Sequence, residues 1–185
     1  MGAQVILHYA GTYPDEVRAL IPICGTYKRP LDTFHNNDRL KTLLPFIDRI
    51  VNAAPEQLQS VWEYLTPSRF SKLASRVEIN ARLVRQTDFL PYLDHVAQMN
   101  LQVFVRMLKE LSDHSAEAML PGLTMPALII AGELDTFTPL HRSEEMAELI
   151  EDSELLVVPS GRHIAPLELP QMVNGAIEKF LARVP

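Results

Sequence analysis

One cysteine, Cys24, stands in 185 residues. No internal disulfide is possible, which fits a reducing compartment. No apolar stretch approaches the roughly 18 to 20 residues that a membrane span requires. Residues 1–10 have neither the basic start nor the cleavage site of a signal peptide. Basic residues are in deficit: 17 Lys and Arg against 23 Asp and Glu leave a net charge of −6. That balance argues against nucleic acid or an anionic membrane surface as a partner. There is no H-x-x-x-H and no C-x-x-C, so no metal site is indicated. There is no G-x-G-x-x-G and no G-x-x-x-x-G-K, which removes the common nucleotide loops. These absences point to a cytoplasmic chain with no cofactor, no nucleic-acid partner and no membrane span.

What is present is ordinary globular composition, 47% apolar and 22% charged, in a chain long enough for one domain with a sizeable core. Residues 1–30 read as helix, turn and strand. Met1, Val5 and Leu7 to Tyr9 supply an apolar face, and Ala19–Gly25 is a run of strand length interrupted by Pro22. Proline cannot donate to a sheet ladder, so the strand either ends early or carries an irregularity. Residues 31–120 read as helices throughout. They run from Asn36 to Ala53, from Pro55 through Leu65, from Pro67 through Leu83 and from Asp88 to Met99. A fifth, capped by Asn100, carries Val103, Met107, Leu108 and Leu111 on one stripe. Residues 121–185 alternate: a strand at 127–131, a helix from about Pro139 to Ile150, and a strand at 154–159. A last helix opens at Pro170, with Met172, Val173, Ile177, Phe180 and Leu181 inward. Apolar strands without alternation, separated by helices, form a parallel sheet covered on both faces.

Two short stretches carry chemistry. Gly132-Glu133-Leu134-Asp135 follows one strand, and Gly161-Arg162-His163 follows the next. An open parallel sheet gathers functional residues at the carboxyl ends of its strands. A carboxylate there can accept the imidazole N–H and fix its tautomer. Taken alone, Asp135 reads equally as a turn or a cap for the helix at Pro139, and His163 as a solvated loop residue. Together, with one helix and one strand between them, they fall on adjacent strand ends. The other five histidines lie on or beside helices.

These segments resemble the α/β-hydrolases of the esterase, lipase and haloperoxidase-like group, over the whole chain. "YPDEVRALIPICG" resembles the strand after the nucleophile elbow. "MPALIIAGELDTFTP" resembles the acid strand and loop, and "ELLVVPSGRHIAPLELPQMVNGAIEKFL" the histidine strand, loop and terminal helix. Met1-Gly2 resembles the last two positions of the G-x-S-x-G elbow. The resemblance implies a partial α/β-hydrolase fold. Residues 1–30 and 121–185 would form the core, and 31–120 an inserted helical cap over the site. It implies Asp135 as the triad acid and His163 as general base and acid. By position only, Met1 supplies half the oxyanion hole, and Gly2 is the glycine of close helix–strand packing. The implied substrate is a small apolar acyl compound such as an ester. Phe89, Tyr92, Met99, Phe104 and Met107 are candidates to line its pocket. No serine precedes Met1, and Ser143 and Ser160 have no elbow around them. The expectation is therefore a piece of a longer serine hydrolase, with Met1 an internal methionine. The alternative is a shortened, non-catalytic relative serving as an interaction module.

Overall fold

The structure, a computed structural model, describes residues 1–65, 79–80, 82–84 and 86–184. Two strands, β1 (Ala127–Gly132) and β2 (Ser153–Val158), pair in parallel from Ala127 against Ser153 to Gly132 against Val158. Every residue of β1 is buried. The strand sits at the centre of the sheet because residues 20–24 lie parallel along its other edge.

That third segment differs from the continuous strand expected over 19–25. It makes two isolated bridge pairs, Leu20 with Ala127 and Ile23 with Ile130. The Leu20 N–H donates to the Pro126 carbonyl, and the Leu20 and Pro22 carbonyls accept from Leu128 and Ile130. The Cys24 N–H donates to the Ile130 carbonyl. The rung that an N–H at residue 22 would send to Leu128 is missing, because that residue is proline. Cys24 then turns at φ 44°.

Helices cover both faces. The side chains of Ala127 and Ile129 pack with Leu7, Ala10, Met146 and Ile150, which belong to α1 (Gly2–Thr12), α6 (Leu140–Leu149) and the residue after α6. Leu128 and Ile130 pack on the opposite side with Val173 and Phe180 of α8 (Pro170–Leu181). A short helix, α7 (Ala165–Glu168), precedes α8. The residue alternation of a strand thus serves two apolar layers at once.

The inward faces of two helices differ from expectation. In α1 the buried residues are Ala3, Gln4, Leu7 and Ala10, while Met1, Val5 and Tyr9 are exposed. A Cβ added at Gly25 would lie 2.3 Å from that of Ala3, so the helix meets residues 23–25 too closely for larger side chains. Gly2, expected at the close approach, has nothing within 4 Å of an added Cβ. In α8, Val173 and Phe180 are buried, but Met172 and Leu181 face outward.

Between residues 30 and 122 the described chain is helical: α2 (Arg39–Ala53), α3 (Pro55–Leu65), α4 (Gln86–Ala97) and α5 (Leu101–Asp113), with single tight turns at Pro30–Asp32, Phe34–Asn36 and Glu117–Gly122. The helix expected from Pro67 lies outside the described residues except near its end. There Leu83 belongs to a turn, its N–H on the Asn80 carbonyl. Asn100 caps α5, its side chain accepting from the Val103 N–H at 3.0 Å. The buried stripe of α5 keeps Leu108 of the expected one but is centred on Val105. Val105, with Leu101 and Leu108 beside it, packs on Leu44 and Val51 of α2. Val103 and Met107 stay on the surface. The helix has two apolar faces, and α2 covers the one centred on Val105. Among the described residues no helix is long and apolar enough to cross a membrane.

Candidate active site

The acid loop begins where β1 ends. The chain turns at once, the Asp135 N–H reaching back to the Gly132 carbonyl. The Asp135 side chain is fully buried. One carboxylate oxygen, Oδ1, accepts the Phe137 and Thr138 N–H groups at 2.7 and 3.0 Å. The other, Oδ2, accepts the Thr138 hydroxyl at 2.8 Å and lies 2.9 Å from His163 Nδ1. Asp135 therefore closes a turn and meets the histidine with the same group. It does not cap α6, whose N-cap residue is Pro139 without a side-chain bond.

The histidine loop is built against the acid loop. Ser160 turns at φ 55°, its N–H held by Glu133 Oε2 at 2.7 Å. The Gly161 N–H donates to the Val158 carbonyl, and the Leu134 N–H donates to the Gly161 carbonyl at 2.8 Å. The two loops are so close that a Cβ on Gly132 would lie 2.4 Å from the Arg162 carbonyl oxygen. Glu168, buried in α7, takes the Arg162 N–H at 2.5 Å on one oxygen and the Asn80 N–H at 2.7 Å on the other. Asn80 also donates from its side chain to the Ser160 carbonyl.

His163 is thus held by its neighbours on both sides, with its side chain 31% exposed. A carboxylate only accepts, so Nδ1 carries the proton in the Asp135 contact. In the neutral ring that leaves Nε2 with a lone pair. The arrangement can take a proton from an attacking hydroxyl and return it to a leaving group. The rings of Phe137 and His163 lie 4.9 Å apart, and Phe137 also touches Phe34 and His35.

Of the residues expected at the site, Asp135 and His163 are brought together. Met1 heads α1, where its carbonyl accepts from the Gln4 and Val5 N–H groups and burial lowers its α-amino group from its ordinary range. It lines a groove of about 690 Å³ between α1 and α5, with Val5, Tyr9 and Met107; neither Asp135 nor His163 lines that groove. Of the candidate pocket residues, Phe89 lies beside the histidine loop, packed with Ile79, Val84 and Ile164. Phe104 stacks near Trp62, and Tyr92 is half exposed. Ser143 is buried within α6 and Ser160 sits on the exposed turn, its N–H taken by Glu133.

Three contributors had no part in the expected site. Glu168 is a lone acid in the apolar stretch "IAPLELP", and a buried charge in such a stretch is a readable sign of a built interaction. Glu133 offered only its place in the acid loop. His35 offered nothing, since it stands in a polar run before a helix. Burial lowers its imidazole from the ordinary range, with the charge of Asp135 opposing. Cys24 lies beneath both loops, its thiol directed to the Arg162 carbonyl at 3.7 Å. Burial first, then the Asp135 charge, pushes that thiol up to about 12. Among the described residues no three of His, Cys, Asp and Glu are grouped as a metal ion would need.

A family model described as "alpha/beta hydrolase fold" matches residues 1–170. A 2-hydroxy-6-oxononadienedioate/2-hydroxy-6-oxononatrienedioate hydrolase of Pseudomonas sp. is 27% identical over 99% of this chain and 61% of its own. Protein ABHD8 of Bos taurus is 36% identical over 59 residues, which are 32% of this chain and 14% of that protein. Among solved structures, a thermophilic esterase from Thermogutta terrifontis superposes with a TM-score of 0.71 at 19% identity, over 99% of this chain and 62% of that one. The chain therefore spans about three fifths of the Pseudomonas hydrolase and of the Thermogutta esterase, and a smaller part of ABHD8.

Proposed function

Because this chain belongs to the alpha/beta hydrolase fold family, we propose that it carries the acid and base of a serine hydrolase acting on esters or related small acyl compounds. The observation that carries this reading is the buried Asp135 carboxylate 2.9 Å from His163 Nδ1 at the carboxyl end of a parallel sheet. In this reading the nucleophile is a serine on the N-terminal side of Met1 in a longer chain. His163 Nε2 takes the serine proton as Oγ attacks the acyl carbonyl, and Asp135 stabilises the imidazolium that results. The same proton then passes to the leaving alcohol, and water repeats the sequence to free the acid. The amide N–H of Met1, as an internal residue, is one donor to the oxyanion. Residues 31–120 act as the cap that shapes the acyl pocket over residues 1–30 and 121–185. A cytoplasmic setting accompanies the reading, in keeping with one buried free thiol.

The test compares the 185-residue chain with one extended upstream to include a Gly-x-Ser. Hydrolysis of p-nitrophenyl esters is expected from the extended chain alone. His163→Ala or Asp135→Asn in that chain is expected to lower kcat by roughly 10⁴-fold, the scale set by triad residues elsewhere. Turnover by the short chain, or an extended chain indifferent to His163, overturns the reading.

A second reading, an interaction module without catalysis, draws support from the apolar groove between α1 and α5. It prevails if the extended chain is inert and a protein partner binds the short chain with Val5 and Met107 at the contact.

A further inference from the structure

We propose that His35 is a positioning residue for the acid loop, gripping Thr136 and thereby setting where Asp135 meets His163; its catalytic meaning rests on the hydrolase reading above. His35 stands 101 positions before Thr136 in the chain, in the tight turn that leads towards α2. Its backbone is left-handed, φ 51°, a conformation uncommon outside glycine and one that persists where the surroundings over-determine it. Those surroundings are the acid loop. The His35 N–H donates to the Thr136 carbonyl at 2.6 Å. The ring Nδ1 lies 3.0 Å from the Thr136 hydroxyl, which can donate or accept and so suits either tautomer. The edge of the ring meets Phe137 at 4.8 Å and Phe34 at 4.4 Å.

Main chain and side chain of one loop residue are thus held by one histidine. Thr136 is flanked by the two residues whose placement matters most. On one side is Asp135. On the other is Phe137, whose N–H binds Asp135 Oδ1 at 2.7 Å and whose ring lies against His163. A shift of Thr136 therefore turns the carboxylate and the aromatic wall together. His35 makes no hydrogen bond to the Asp135 carboxylate among the described residues, so it acts through Thr136 and not on the reacting atoms. It also ties the entry of the helical segment to the end of β1, two parts that are distant in sequence.

The test is amide hydrogen exchange by NMR on the 185-residue chain, with the low-field Nδ1 proton of His163 as a second signal. His35→Gly keeps the backbone conformation available and removes the ring. His35→Asn keeps both the left-handed preference and a polar group near Thr136. Thr136→Val deletes only the hydroxyl. His35→Gly and Thr136→Val are expected to speed exchange at Phe137 and Thr138 about tenfold, the scale of one net hydrogen bond. They should also weaken the His163 signal, while Leu128 and Ile130 in β1 stay protected. His35→Asn is expected to preserve all of these. Unchanged exchange at Phe137 and Thr138, equal acceleration in β1, or His35→Asn behaving as His35→Gly overturns the proposal. If His35→Gly does not fold, Thr136→Val and His35→Asn decide it. None of these readings needs turnover, so an inert extended chain would sink the hydrolase reading and leave this result standing.

Discussion

At the ends of β1 and β2, the amides of Glu133, Leu134, Phe137, Thr138, Ser160 and Arg162 all have partners, and a single added Cβ has no room. In α2, α3 and α4 the surface holds Leu43, Phe46, Ile50, Val61, Leu90 and Tyr92 in the open. The first region is polar yet tightly specified. The second is apolar yet loosely specified, with satellite clusters such as Leu31, Leu44, Val51 and Val105 in place of a continuous core. The contrast teaches that burial of hydrophobic area does not mark the candidate site in this chain. Satisfaction of polar groups does. Loop geometry is fixed by directional bonds that each have one solution, whereas helices packed through a few aliphatic contacts tolerate exchange.

Three substitutions break or sharpen that contrast. Gly132→Ala should have the largest effect on stability, about 3 kcal/mol, because its Cβ would meet backbone atoms of Gly161 and Arg162, which cannot move aside as a side chain can. Urea unfolding followed by far-UV circular dichroism measures it, and a loss below about 1 kcal/mol would mean that the loops are less tightly joined than their geometry implies. Asn100→Ala removes a helix cap in the other region and should cost about 1 kcal/mol by the same measurement. Phe46→Ser, on the outward face of α2 at 60% exposure, should change stability by less than about 0.5 kcal/mol. A large loss there would show that the face of α2 is covered in solution, and the contrast between the regions would fail.

Much of this was legible in the sequence because it depended on local pattern. The runs at 127–131 and 154–159 are strands, within a residue of their expected ends, because unbroken apolar stretches bounded by turns have few other uses. Asn100 caps its helix because a short amide at that position has a backbone donor within reach. Asp135 and His163 were legible as a pair, since two residues following adjacent parallel strands must emerge at the same end. Other features depended on contacts distant in sequence. Nothing near His35 indicates that Thr136 will lie against it. The buried face of α5 was misjudged because Val103 and Met107 form as good a stripe as Leu101, Val105 and Leu108, and only the position of α2 chooses between them. The close approach was expected at Gly2 and occurs at Gly25, because it depends on where α1 crosses residues 23–25. Pro22 left open whether the strand ends early or carries an irregularity; the pairing of Ile23 and Cys24 with Ile130 decides for the irregularity, and which rung it removes follows only from the register.

Cys24 has a consequence for the chemistry of handling this protein. Burial, then the Asp135 charge, pushes its thiol up to about 12, which disfavours the thiolate, the form that attacks alkylating and disulfide reagents. Cys24 is also buried, so the folded chain is expected to react only slowly with maleimides, which thiol titration measures. A fluorophore attached through a new cysteine at position 46 would report from the surface of α2 alone, with no need to remove the native residue. Loss of that selectivity on heating would mark the moment at which the floor beneath the two loops opens.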